Sequence, residues 1–225
     1  MGGKSRLRLV LGPGPYDPDP LVGAPDEPLL EGWTVLVALA AVTSRIRLAT
    51  LATAVGYRNP AHLAKIAASV DLISRGRLTL GIGAGFFEDE YRQYGWEFPP
   101  RPATRIRQME EAIQLILKMW TEPRTTFHGR YFHVEDAILE PKPVQKPQPP
   151  VMIAGGGEQM TLCAVANLAD AISATVAFLR RAGLEQHDRT IASTHGRRRL
   201  QTPTVRLLRS SSKCSSARRT GSGVK

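Results

Sequence analysis

The stretch Arg77-Leu78-Thr79-Leu80-Gly81-Ile82-Gly83-Ala84-Gly85-Phe86-Phe87-Glu88-Asp89-Glu90-Tyr91 decides how the rest of the chain is read. A short apolar strand runs directly into a glycine-rich turn and then into an acidic helix start. In parallel α/β proteins the ligand sits at the carboxyl ends of the strands. Glycine there lets backbone approach a flat or phosphorylated ligand with no side chain between them. The layout recurs as Val151-Met152-Ile153-Ala154-Gly155-Gly156-Gly157-Glu158. Two such strand ends point to a cofactor bound across the mouth of a sheet or barrel. The dinucleotide fingerprint does not fit: counted from Gly81 its sixth position is Phe86, and counted from Gly83 it is Glu88, where glycine or alanine is needed.

Outward from this stretch the pattern alternates. Trp33 to Val42 reads as a helix with Trp33, Leu36, Val37 and Ala40 on one face. Ile46 to Ala54 reads as a strand. Asn59-Pro60 is a helix start, with Asn59 as cap and Pro60 in the first helical position. Leu63, Ile66, Ala67, Val70 and Ile73 follow at helical spacing, and Gly76 ends that helix. Thr104 is the expected cap of a long helix through Trp120, with Ile106, Met109, Ile113, Ile116, Leu117 and Trp120 as a core stripe. Phe127 to Val134 reads as a hairpin around His128-Gly129, and Pro141 to Pro150 as a stiff extended linker. Val151 to Ala154 is a strand, Gln159 to Leu168 a helix and Ala169 to Ala174 the start of another strand. Such alternation predicts an α/β fold with a parallel sheet and right-handed crossovers.

Three regions emerge: a Pro/Gly-rich loop region over 1–31, the alternating body over 32–173, and a tail over 174–225 without sustained apolar period. The tail reads as disordered or out of frame. The charge has the same division. Of 30 Lys/Arg and 20 Asp/Glu, the tail holds twelve and two, which leaves 18 of each in the rest. The body is therefore neutral, which argues against nucleic acid as its partner, and no recognition motif accompanies the tail's charge. No apolar run approaches the roughly 20 residues of a membrane span. The apolar run Leu7 to Leu11 is broken by Arg8 and too short for a signal peptide core. The chain is expected to be cytoplasmic, with no membrane partner. Cys163 and Cys214 show no metal-ligand or redox spacing, and no metal site is expected.

Several runs taken together resemble the bacterial luciferase-like monooxygenase family, in its branch of probable deazaflavin (coenzyme F-420)-dependent oxidoreductases. They are Glu31-Gly32-Trp33-Thr34, Ala41-Val42-Thr43-Ser44-Arg45-Ile46-Arg47-Leu48, Tyr57-Arg58-Asn59-Pro60-Ala61, Asp71-Leu72-Ile73-Ser74, Gly76 to Gly85, Phe127-His128-Gly129-Arg130-Tyr131 and Pro141 to Pro147. The likeness spans about Pro25 to Ser173. It implies a partial (β/α)8 TIM-type barrel with about strands three to six recognisable, and a deazaflavin or, alternatively, FMN at the carboxyl-end mouth. The cofactor would perform hydride transfer or oxygen activation on a small organic substrate while the protein orients it. A homodimer, as in related barrels, is left open.

The resemblance also implies site residues. Ala52, Thr53, Ala54 and Val55 stand where relatives hold a non-prolyl cis peptide against the ring. Gly81, Gly83, Ala84 and Gly85 stand where a turn passes the ribityl arm. Gly155, Gly156, Gly157 and Thr161 stand where backbone N–H groups and a hydroxyl grip phosphate. A plain strand end remains the alternative for Ala52 to Val55, and a plain strand-to-helix turn for Gly155 to Gly157. Some relatives place a catalytic acid at the position of Phe86, so no catalytic residue is assigned. The Asp-His-Phe-like triplet of relatives has no match here. His62, His128, His133, His187 and His195 read as surface or packing residues. The likeness begins and stops abruptly, so the expectation is a barrel truncated or frameshifted at both ends. An inactive fragment and a basic-tail nucleic-acid binder stay open as alternatives.

Overall fold

The computed structural model describes residues 30–155 and 160–173. The region 1–31, apart from its last two residues, and the tail 174–225 lie outside them. In chain order the elements are Gly32–Val42 (α1), Leu48–Ala49 (β1), Thr53–Ala54 (β2), Pro60–Ile73 (α2), Leu78–Gly83 (β3), Glu88–Gln93 (α3), Pro102–Thr121 (α4), Thr125–His128 (β4), His133–Ala137 (β5), Val151–Ala154 (β6), Met160–Leu168 (α5) and Ala171–Ser173 (β7). β1 and β2 both pair with β3, β3 with β6 and β6 with β7, every pairing parallel. β4 and β5 form a separate antiparallel hairpin between α4 and β6. The alternation read from the sequence is thus a parallel α/β sheet.

Helices α1, α2, α4 and α5 pack side by side in the order of the strands they follow or precede, against the sheet. The pleat explains which face they cover. Leu78, Leu80 and Ile82 of β3 and Val151 and Ile153 of β6 are buried among the helices, and residues paired across strands share a face. Ala64, Ala67 and Ala68 are small enough to bring α2 close, and the Trp120 indole N–H donates to the Ala64 carbonyl at 3.0 Å. The buried face of α4 is broader than the expected stripe, since Ala112, Leu115 and Met119 are buried as well. That breadth follows from α4 lying between α2, α5 and the sheet.

Local signals account for most boundaries. Asn59 Oδ1 accepts the Ala61 N–H at 2.9 Å with Pro60 next to it, as expected. Gly76 ends the α2 turn at φ +82°, a region L-residues with side chains avoid. The start of α4 differs: the helix begins at Pro102, without a side-chain cap, rather than behind Thr104. Proline's preset φ supplies the start that a cap would otherwise favour. α1 is capped by Glu31, whose carboxylate accepts the Trp33 and Thr34 N–H groups at 2.9 and 2.7 Å. Burial pushes the Glu31 carboxyl up, but these donors, the Thr34 hydroxyl and Arg58 outweigh it and hold the group below its ordinary range.

The amino ends of the strands are locked by buried and half-buried polar groups. The Arg77 guanidinium donates to the carbonyls of Ala40, Thr43 and Ile46 at 2.9, 2.7 and 2.8 Å, closing the end of α1 over β1. Buried Asp71 accepts the Gln145 N–H at 3.0 Å and its side-chain amide at 2.7 Å, and that amide also donates to the Leu78 carbonyl. The proline-rich linker is thereby tied beneath β3. Glu111 of α4 fixes the hairpin turn by accepting the N–H groups of Arg130, Tyr131 and Phe132 at 2.9, 2.7 and 2.7 Å.

Two outcomes are expected. Asp71→Ala leaves the Gln145 backbone N–H and one of its side-chain N–H donors unpaired and lowers unfolding stability by about 3 kcal/mol, read from the urea midpoint. Burial pushes the Glu110 carboxyl up, with Arg107 opposing. The folded chain therefore holds that proton to higher pH than the unfolded chain, and stability falls as pH rises above the ordinary carboxylate range. Glu110→Gln should raise the melting temperature at pH 7 and lose that advantage in acid.

Candidate functional site

The strand expected over Ile46 to Ala54 is interrupted. Leu48 pairs with Leu78 and Thr53 with Ile82. The first chain therefore advances from 48 to 53 while its partner advances from 78 to 82. One extra residue must leave the ladder, and Thr50-Leu51-Ala52 bulges. The Leu51–Ala52 peptide is cis, at the near edge of the expected 52–55 window. The bulge presses on β3. A Cβ on Gly81 would lie 1.7 Å from the Thr50 carbonyl oxygen, and the Thr50 hydroxyl donates to the Gly81 carbonyl at 2.6 Å. Only glycine fits at 81.

Beyond the bulge the strands come back into step. The last paired row across the sheet is Ala54, Gly83, Ala154 and Ser173. Four small residues from four separate segments thus line the carboxyl ends, and Ala52 stands beside them, its Cβ 3.9 Å from where one on Gly83 would be. Two turns leave this row. Val55–Tyr57 forms a short 3-10 turn after β2, and Gly85, at φ +77°, turns the chain out of β3.

Tyr91 of α3 lies against both turns. A Cβ on Gly56 would sit 2.5 Å from its ring, and one on Gly85 would sit 2.3 Å from its hydroxyl. Burial pushes the Tyr91 hydroxyl up, and the Gly56 N–H directed at it opposes that shift. Tyr57 donates to the Glu90 carboxylate. Its own hydroxyl is pushed well above the ordinary range, first by burial and then by Glu90. Arg105 of α4, stacked 4.2 Å over Phe98, donates to the Gly85 carbonyl at 3.0 Å and also to the Pro99 carbonyl.

The expected site residues are not all placed alike. Thr53, Ala54 and Val55 are buried, and Val55 belongs to the core. Gly81 is covered by the bulge. Ala52, Ala84, Gly85 and Gly155 remain half-open. Gly155 and Thr161 meet, the Thr161 methyl 3.1 Å from a Cβ on Gly155. Gly156 and Gly157 lie outside the described residues. Sequence reasoning missed Thr50, Gly56, Tyr91 and Arg105. Among the described residues no group of three or more His, Cys, Asp or Glu is placed to hold a metal, and no helix is long and apolar enough to cross a membrane.

A model of the luciferase-like monooxygenases matches residues 6–208. The chain belongs to that family. Its family and structural neighbours are of TIM-barrel type, and members use F420 or reduced FMN. It is 34% identical over 163 residues to the F420-dependent glucose-6-phosphate dehydrogenase of Kineococcus radiotolerans, covering 68% of this chain and 47% of that one. It is 37% identical over 116 residues to the pyrimidine monooxygenase RutA of Acinetobacter baylyi, covering 51% and 31%. Among solved structures, monooxygenase RslO1 of Streptomyces bottropensis matches with a TM-score of 0.56 at 26% identity, over 65% of this chain and 42% of that one. This luciferase-like chain spans about half or less of the length of the curated relatives it matches.

Gly81→Ala is expected to be among the most damaging single changes at the mouth. The new methyl group cannot coexist with the Thr50 carbonyl, so the bulge must move, at a cost above about 3 kcal/mol in thermal or urea unfolding. Gly95→Ala, with nothing within 4 Å of its Cβ but φ +71°, should cost less.

Proposed function

We propose that this chain forms the cofactor-holding part of a (β/α)8 barrel oxidoreductase, in which a reduced deazaflavin serves a small organic substrate. The observation that carries this reading is the row Ala54, Gly83, Ala154 and Ser173 at the carboxyl ends of four parallel strands. A flat ring needs a surface free of projecting side chains, and parallel strands present their ligands at this end.

The residues fit such a group. Half-open Ala52 and Ala84 would offer small surfaces beside the ring, buried Gly83 between the strands adds no side chain there, and Gly85 turns the chain away. Buried Thr53 and Val55 hold the strand end on either side of Ala54, and Gly81 admits the bulge that carries Ala52. Gly155, Gly156, Gly157 and Thr161, ahead of and in the first turn of α5, would take the phosphate through backbone N–H groups and a hydroxyl. When bound, a reduced deazaflavin supplies a hydride to the substrate, and reduced FMN in the same place would support oxygen activation instead. The protein's contribution is orientation and exclusion of water. The similarity to an F420-dependent dehydrogenase over 163 residues supports the deazaflavin, and the similarity to a pyrimidine monooxygenase keeps FMN as the second candidate.

Titrating the full chain with F420, and separately with FMN, tests this. Saturable binding should raise the melting temperature with cofactor concentration, by about 2.7 kcal/mol of added stability at a hundredfold excess over Kd. Stronger binding of FMN would reverse the assignment, and binding of neither would overturn it.

A further inference from the structure

The connection from β3 to α4 contains α3, a helix of only 6 residues without a side-chain cap. So short a helix has little stability of its own. Its placement comes from Tyr91 and its neighbours. Tyr91 is 1% exposed and its hydroxyl is lodged between Gly56 and Gly85, the two glycines of adjacent mouth turns. Both clashes a Cβ would make are with this one side chain, so both turns are shaped to it. The adjacent Glu90 accepts from Tyr57 in the first turn, and Arg105 clamps the carbonyl of Gly85 in the second. Phe98, under the Arg105 guanidinium, packs edge-on against Tyr91 with ring centres 5.0 Å apart. A single connected group therefore spans both turns.

We infer that Tyr91 and Arg105 are positioning residues that fix the two strand-end turns relative to each other and thereby set the shape of the cofactor platform. Neither needs to touch the cofactor. Tyr91 acts through Gly56 and Gly85, and Arg105 through Gly85. Both side chains are buried against the turns that leave the row of small residues, which is what such a role requires. Small residues cannot hold one another in place by interdigitation, so the rigidity must come from the adjoining turns. The role as stated rests on the cofactor reading above, while the coupling between the turns does not.

The test uses the full chain and three variants. Tyr91→Phe keeps the ring and removes the wedged oxygen. Arg105→Lys keeps the charge and removes the donor to Gly85. Asp71→Asn weakens the opposite end of the sheet and serves as the control for lost stability alone. Amide exchange and F420 and FMN titrations are measured on each. In Tyr91→Phe and Arg105→Lys, exchange over 53–57 and 83–86 should speed up about tenfold with β6 unchanged, and cofactor Kd should rise about tenfold. Asp71→Asn should lower the melting temperature without that Kd change. Unchanged exchange at the two turns would overturn the brace, whatever the cofactor result. Faster exchange with unchanged Kd, or a Kd rise in Asp71→Asn equal to theirs, would overturn the positioning role. If the unaltered chain binds neither cofactor, the cofactor reading itself fails and the positioning role falls with it, whereas the exchange result still decides the coupling.

Discussion

The Thr50 carbonyl occupies the space where residue 81 would carry a side chain, and the mouth of the sheet is arranged around that contact. The extra residue between 48 and 53 has to leave the ladder, and it can do so across β3 only because Gly81 has no Cβ. The Thr50 hydroxyl then closes the approach with a bond to the Gly81 carbonyl. Once the extra residue is absorbed, Ala54 comes level with Gly83. A straight strand would keep the register of Leu48 with Leu78 and bring Thr53 level with Gly83, so that the row would no longer consist of small residues alone. The bulge thus sets the chemistry of the row as well as its shape.

The two ends of the sheet are built on different principles. At the amino ends, half-buried Arg77 and Gln145 and buried Asp71 use their hydrogen bonds to tie loops and helix ends together. Unpaired, such groups would be costly, so each enforces one arrangement. At the carboxyl ends, the last row offers almost no side chain, and order is imposed through the adjoining turns by Tyr91 and Arg105. This division suits a parallel sheet, where stability and ligand contact fall at opposite ends of the same strands.

Much of the fold was legible in the sequence because its signals are local. Most apolar runs at helical or strand spacing, Asn59-Pro60 and Gly76 act within a few residues and appear where expected, although Val37 and Ile73, expected on core faces, are exposed. The start of α4 was misplaced because Pro102 and Thr104 compete as start signals two residues apart. The break in the first strand was not legible at all. It arises from a one-residue mismatch with a partner about thirty residues away, and no pattern within 46–54 records it. Tyr91 was hidden for a related reason. It follows three acids that read as an ordinary first helical turn, and its role depends on two glycines in other segments. The runs around Gly83 and Gly155 were readable as strand ends, whereas Ala54 and Ala154 become part of one row only through the register.

The helices cover one face of the sheet with large apolar side chains, and the alternate positions of β3 and β6 are Thr79, Gly81, Gly83, Met152 and Ala154. Parallel sheets are stable with both faces covered. Two coverings are open to a sheet of this kind: a second helix layer, or closure of the sheet on itself. A second helix layer would favour branched apolar side chains on both faces, giving continuous runs such as Leu-Ile-Val. β3 instead alternates large residues with Thr79, Gly81 and Gly83, whereas β6 carries Met152 and then Ala154 at the matching positions, so the small residues fall toward the carboxyl ends. Under either covering, the carboxyl ends must leave room for a ligand, and small residues there do so. The alternation within β3 thus sets its small residues at the carboxyl end of the strand, where the last paired row and the glycine turns meet.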